Sequence, residues 1–381
     1  MMKKPLGIYI HIPFCIKKCV YCDFLSAPAN KDIINAYVDA LINELSNCRQ
    51  NTFRHQVQTI FIGGGTPSSI DDRHIKRIIK TIYDHFDVSG FAEITIECNP
   101  CTVTKSKANA YKKAGINRIS IGLQSANNEE LKSLGRIHSF EDFIKSYNIL
   151  REAGFDNINV DLMSATMGQT VKSYENTLKK VIELGVEHIS SYSLIIEEGT
   201  PLYEATDLDL PSEEDEREMY YLTEEMLNKA GYRRYEISNY AKPDRECKHN
   251  ISYWIGTDYI GFGIGAASLF ENVRFSNGRD LQSYIDSNGL NGPCEEEELS
   301  ENARMEEFMF LGLRMMEGIS KRYFYRSFKT EFDTVYGKVT KKLVKQGLLI
   351  EDDDNVRLSK KGIDVSNYVM SEYLLDSEKI V

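Results

Sequence analysis

The sequence predicts an α/β protein, a partial (β/α)6-type parallel barrel followed by a C-terminal helical, winged-helix-like domain. Three observations predict it. Six short runs of β-branched and apolar residues recur between residues 8 and 194. Helix-length segments with apolar residues three and four apart separate them. After about residue 300 the pattern changes to helices followed by a hairpin with an acidic tip. Regular alternation of strand and helix implies parallel strands joined by right-handed crossovers. Six units are too few to close an eight-stranded barrel, so an open one is expected.

The strands are read, in order, at Ile8–Ile12, Thr59–Ile62, Glu93–Cys98, Arg118–Leu123, Ile158–Met163 and His188–Leu194, with Tyr235–Ser238 as an extension. Helical spacing marks Ile33–Leu45, Ile75–Phe86, Phe140–Leu150 and Tyr174–Leu184 between them. Ser212–Lys229 reads as a charged surface helix, and the Gly-rich residues 255–270 read as loop. In the tail, helices are expected at Glu301–Met316, Arg322–Phe328 and Phe332–Gln346. Leu348–Ile350 and Val356–Leu358 form the expected hairpin. The organisation is therefore a barrel at residues 1–240, a linker segment at 241–299 and a C-terminal domain at 300–381.

A net charge of −11 argues against nonspecific binding to nucleic acid or anionic lipid. The tail from residue 300 balances to zero, and its acidic tip would repel phosphate, so DNA is not an expected partner. No apolar run reaches the ~20 residues of a membrane span. Met1-Met2-Lys3-Lys4-Pro5 lacks the long apolar core and cleavage site of a secretory signal, so a cytoplasmic protein is expected.

Three of the eight cysteines, Cys15, Cys19 and Cys22, fall within eight residues directly after the first strand. Loops at the C-terminal ends of barrel strands are where active sites sit. Structural zinc usually takes four protein ligands, and a disulfide would leave one thiol over. A cubane iron–sulfur cluster held by three cysteines exposes one iron for a substrate or cofactor. The cluster is the favoured reading, with structural zinc the alternative. Cys48, Cys98, Cys101, Cys247 and Cys294 read as bystanders.

The CxxxCxxC loop, followed after the second strand by Gly63-Gly64-Gly65-Thr66-Pro67, resembles the radical S-adenosylmethionine (SAM) enzymes. Further segments resemble the branch of oxygen-independent coproporphyrinogen III oxidases and heme chaperones. They are Tyr9–Cys15, Tyr21–Phe24, Ile96–Pro100, Arg118–Gln124, Leu134–His138, Asn159–Leu162 and His249–Trp254. The resemblance implies a [4Fe-4S] cluster on Cys15, Cys19 and Cys22, with SAM chelating the open iron. It implies Tyr9 and Phe24 beside the cofactor, and Gly64, Gly65 and Thr66 around its methionine end. Glu97 would accept from its polar groups, Arg136 would pair with its carboxylate, and Gln124 and Asp161 would bind further polar parts.

Two features favour the chaperones over the oxidases. Phe24 stands where the oxidases carry a further cysteine, and only 14 residues precede Cys15. The implied function is binding heme and delivering it to apo-hemoproteins. The alternative is a radical SAM oxidoreductase or decarboxylase acting on coproporphyrinogen III or a related porphyrin. His249 is the candidate heme ligand, and Tyr253 and Trp254 offer flat surfaces for a porphyrin face. The implied partners are heme, an apo-hemoprotein and an electron donor such as flavodoxin or ferredoxin. Peripheral membrane contact through a recipient and a homodimer complete the expectations.

Overall fold

The computed structural model describes residues 3–290 and 292–375. Met1 and Met2 of the expected N-terminal segment, Asn291 of the expected linker and the end of the C-terminal domain from residue 376 lie outside the described residues. The six expected parallel strands are β1 (Lys4–Ile12), β2 (His55–Gly64), β3 (Val88–Cys98), β4 (Arg118–Gln124), β5 (Ile158–Ser164) and β6 (His188–Ser193). They pair in sequence order, each parallel to the next. β7 (Arg233–Glu236) and β8 (Asn239–Ala241) add an antiparallel hairpin on the β6 edge. The strand order is linear, with β7 at one edge and no pairing between the two edges among the described residues, which leaves the barrel open.

Alternation along these strands sorts two faces. Ile8, Ile10 and Ile12, Ile60 and Ile62, Ile94 and Ile96, and Ile119, Ile121 and Leu123 belong to one fully buried core shared with Tyr37, Ile78, Phe143 and Leu178 of the flanking helices. Each side chain of this kind stabilises the fold by roughly 1.5–3 kcal/mol on burial. The intervening residues, among them Tyr9, Phe61, Glu97, Ser120 and Asp161, line the concave side.

The Gly-rich stretch is not loop. It supplies β9 (Tyr259–Phe262), which runs parallel to β1, and β10 (Ala267–Phe270), which folds back against β9. The glycine content reflects close strand approach, since a Cβ at Gly261 would lie 2.4 Å from the Ala267 carbonyl oxygen. β11 (Val273–Asn277) and β12 (Pro293–Glu298) continue the same sheet antiparallel. Residues 259–298 thus widen the barrel sheet instead of merely linking two domains.

The tail has its own core, including Met309, Phe324, Tyr336, Leu343 and Val356. Helices at Glu301–Gly312, Lys321–Phe328, Phe332–Val335 and Gly337–Lys345 pack beside a small sheet of β13 (Ile319–Ser320), β14 (Leu349–Glu351) and β15 (Asn355–Leu358). The expected hairpin is the β14–β15 pair. No helix among the described residues is long and apolar enough to cross a membrane.

Candidate functional site

The cysteine loop leaves β1 at Ile12 and crosses the mouth of the barrel. Backbone hydrogen bonds pin it on several sides: Thr66 N to the Phe14 carbonyl (2.7 Å), Ala27 N to Pro13 (3.0 Å) and Val20 N to Leu134 (3.3 Å). Cys15, Cys19 and Cys22 are free thiols, each half-buried. Burial pushes the Cys22 thiol up, while the Phe24 backbone N–H pulls it down and the neighbouring Cys19 raises it further. No three His, Cys, Asp or Glu side chains among the described residues already converge as a metal-ligand set. The thiols are instead held on separate anchors. Thr66 Oγ1 donates to Cys15 Sγ at 3.5 Å, and Arg136 Nη1 donates to Cys19 Sγ at 3.7 Å. Thiolates brought together without a metal would repel, so a metal itself is what gathers such ligands.

Behind the loop, the glycines at the end of β2 have no room for side chains. A Cβ on Gly65 would meet the Phe14 carbonyl oxygen at 2.8 Å and Cys15 Sγ at 3.0 Å. Gly64 adopts φ +111°, and a Cβ there would strike the His11 ring at 2.6 Å. That ring is fixed: Nε2 faces the Leu25 carbonyl at 2.8 Å, so it carries the proton, and Nδ1 accepts from the Tyr9 hydroxyl at 3.0 Å. Tyr9 is thereby placed on the concave side, its ring stacked 6.4 Å from Phe61.

Glu97 ends the inward face of β3, and its Oε2 accepts from Gly64 N at 3.1 Å. Burial, reinforced by Asp161, pushes its carboxyl up to about 8. Asp161 sits one register level away on β5. Burial raises its pKa as well, and hydrogen bonds from Asn159 (2.7 Å) and Ser120 (3.2 Å) oppose the rise. Gln124, at the end of β4, takes φ +71° and accepts from the Tyr192 hydroxyl at 3.2 Å. Arg136 closes the ring. Its Nη2 donates to the Gly122 carbonyl at 2.6 Å and to Asn99 Oδ1 at 2.9 Å. Its Nε is buried with no partner among the described residues.

The arrangement brings Tyr9, Gly64, Gly65, Thr66, Glu97, Gln124, Arg136 and Asp161 around the concave mouth beneath the cysteines. It fits the implied cluster and cofactor on three counts. The thiols are free, the glycine cradle leaves backbone exposed where a Cβ would block approach, and Arg136 retains an unused donor suited to a carboxylate. Two further expected site residues stand outside this ring: Phe24, expected beside the cofactor, and His249, the candidate heme ligand. The Phe24 side chain is 61% exposed, and its carbonyl accepts from Lys18 Nζ at 2.9 Å. His249 lies part-way down the barrel, buried, its ring stacked 5.1 Å from Phe61, with Thr59 Oγ1 at 2.8 Å from Nδ1 and the Tyr253 hydroxyl at 2.9 Å from Nε2. Burial lowers its pKa to about 3, and neither nitrogen is free for iron in this conformation. Sequence reasoning left Tyr192, Asn99 and Gly122 without roles. Asn99 and Gly122 were nevertheless inside the quoted motifs.

The radical SAM superfamily model matches residues 9–181, and the HemN C-terminal domain model matches residues 299–365. The chain is 36% identical to the heme chaperone HemW of Lactococcus lactis, over 99% of both chains. It is 36% identical to HemW of Bacillus subtilis, over 96% of this chain and 98% of that one. It is 39% identical to HemW of Escherichia coli over 73% of each. The solved coproporphyrinogen III oxidase HemN from Escherichia coli, described as a radical SAM enzyme, shares the fold with a TM-score of 0.86. That likeness covers 98% of this chain and 91% of the other at 24% identity.

Proposed function

Because the chain belongs to the radical SAM superfamily and, within it, to the heme chaperone HemW family, we propose that it binds heme and delivers it to apo-hemoproteins, without oxidising coproporphyrinogen III. The family implies a [4Fe-4S] cluster and SAM. The observation that carries the chaperone reading is 36% identity across 99% of a protein named as a heme chaperone. Phe24, in the position of the oxidases' further cysteine, supports it.

When bound, the cluster and SAM supply one-electron chemistry that no side chain provides. Cys15, Cys19 and Cys22 would ligate the cluster. Arg136 would hold the SAM carboxylate through Nε. Gly64 and Gly65 would let the backbone approach its methionine end, with Thr66 steadying Cys15. The positive amino and sulfonium groups of SAM would draw Glu97 toward its charged form, since a nearby opposite charge lowers a carboxyl pKa. Tyr9, Gln124 and Asp161 would complete the polar wall. A flavodoxin- or ferredoxin-type electron donor is the expected reductant.

The test has two arms on anaerobically reconstituted protein. Heme should bind with a distinct Soret shift and pass to an apo-hemoprotein. Coproporphyrinogen III, with SAM and reductant, should remain unconverted. Conversion to protoporphyrinogen IX without heme binding would favour the oxidase, a reading that the shared fold of HemN keeps in view.

A further inference from the structure

We propose that the seam between the barrel sheet and the C-terminal domain is the seat of the heme cargo, with Arg304 taking a propionate and Met315 facing the iron. This rests on the heme-chaperone reading and gives it a place. A cavity of about 370 Å³ opens at this seam. The barrel side contributes Trp254 and Leu269, and the C-terminal domain contributes Arg304, Phe308, Met315 and Phe328. Pockets favour such domain boundaries, and aromatic walls suit a flat ring.

The charges at the cavity are unequal. Glu307 is matched by Arg274 at 2.7 Å. Arg304 forms no ion pair among the described residues. It donates to Asn272 Oδ1 at 3.3 Å, its guanidinium lies 5.9 Å from the Phe328 ring centre, and its Nε is buried without a hydrogen-bond partner among the described residues. A cation of this kind beside apolar walls selects an amphipathic carboxylate over a neutral apolar molecule. Met315 adds a thioether, a known axial ligand type for heme iron. Trp254 is held in place by the Arg314 guanidinium, 4.3 Å from its ring centre. Its Nε1 is also buried without a partner among the described residues. The volume lies near the lower end of ligand pockets, roughly 300–1,000 Å³. Such a cavity would grip one edge of the macrocycle and leave the other exposed, as a cargo to be handed on requires. The site is distant in architecture from the cysteine loop, which lies at the other domain's barrel mouth.

Hemin titration of the full-length, cluster-reconstituted chain tests this, with Arg304→Gln and Met315→Leu compared with wild type and folding followed by circular dichroism. Arg304→Gln should weaken binding about tenfold with the Soret band unmoved. Met315→Leu should shift the Soret band, and both variants should keep full iron and sulfide. Folded variants that titrate like wild type would overturn the seam while leaving the chaperone reading intact. Wild-type protein that binds no hemin would overturn both. If either variant misfolds, Phe308→Leu decides in its place: weakened hemin binding supports the seam and unchanged binding rejects it.

Discussion

Glu97 Oε2 accepts a hydrogen bond from the Gly64 backbone N–H at 3.1 Å, tying the end of β3 to the glycine turn after β2. The contact joins the residue with a raised carboxyl pKa to the cradle that would meet SAM. It also makes the acid's protonation a property of the fold.

The first prediction is a pH dependence. The Glu97 carboxyl is raised from 4.5 to about 8, chiefly by burial and then by Asp161. Between those values the native cluster-free chain holds a proton that the unfolded chain has released. Its stabilising contribution is therefore present below about pH 4.5 and is lost as pH rises toward 8. Thermal melts of the cluster-free protein should show stability falling through this window, with a shallower fall in Glu97→Gln. An unchanged slope in the variant would reject Glu97 as the source.

The second prediction concerns the thiols. Reconstitution should load about four irons and four sulfides, the composition of a cubane. Cys15→Ala, Cys19→Ala or Cys22→Ala should abolish loading. Cys98→Ala and Cys101→Ala should not, because Cys98 is buried in the barrel core and Cys101 is exposed on a turn. Stoichiometric zinc with no iron species would select the alternative metal.

Arg136 yields the third. Its two Nη2 hydrogen bonds are structural, so a deletion disturbs more than the cofactor. Arg136→Lys keeps the charge but loses the fork geometry. Calorimetric SAM binding should weaken in Arg136→Ala by about 1.5–3 kcal/mol, the scale of a hydrogen bond to a charged group. The lysine variant should recover part of this. Undiminished binding in Arg136→Ala with a full cluster would exclude the carboxylate contact.

The barrel was readable wherever alternation was clean. Tyr9-Ile10-His11-Ile12 places isoleucines toward the helices and polar rings inward, and β1 does so. β9 was hidden because Gly261 and Gly263, required by close backbone packing, erase the apolar signal, and its partner β1 lies about 250 residues away. The Lys105–Lys113 helix was missed because most of its residues are polar and only Ala108, Ala110 and Tyr111 are buried. At the site, the motifs pointed to residues that the fold gathers around the concave mouth. What they could not give is direction. The His249–Trp254 segment looked like a ligand motif, yet its helix docks His249 against Thr59 and Phe61, part-way along β2. That placement depends on contacts nearly 200 residues apart.

The last prediction follows from His249. Both its ring nitrogens are satisfied and its ring stacks 5.1 Å from Phe61, so a structural role is the expected one. His249→Ala would strand the Thr59 and Tyr253 hydroxyls in a buried cavity. Each unsatisfied group costs about 1–3 kcal/mol, so the chain should lose stability on that scale. The hemin Soret position, by contrast, should be unchanged in folded His249→Ala at a temperature where the variant remains native. Denaturant melts measure the first effect and hemin titration the second. A Soret band that moves while stability holds would reverse the assignment and make His249 the iron ligand, requiring its helix to swing the imidazole free of both partners.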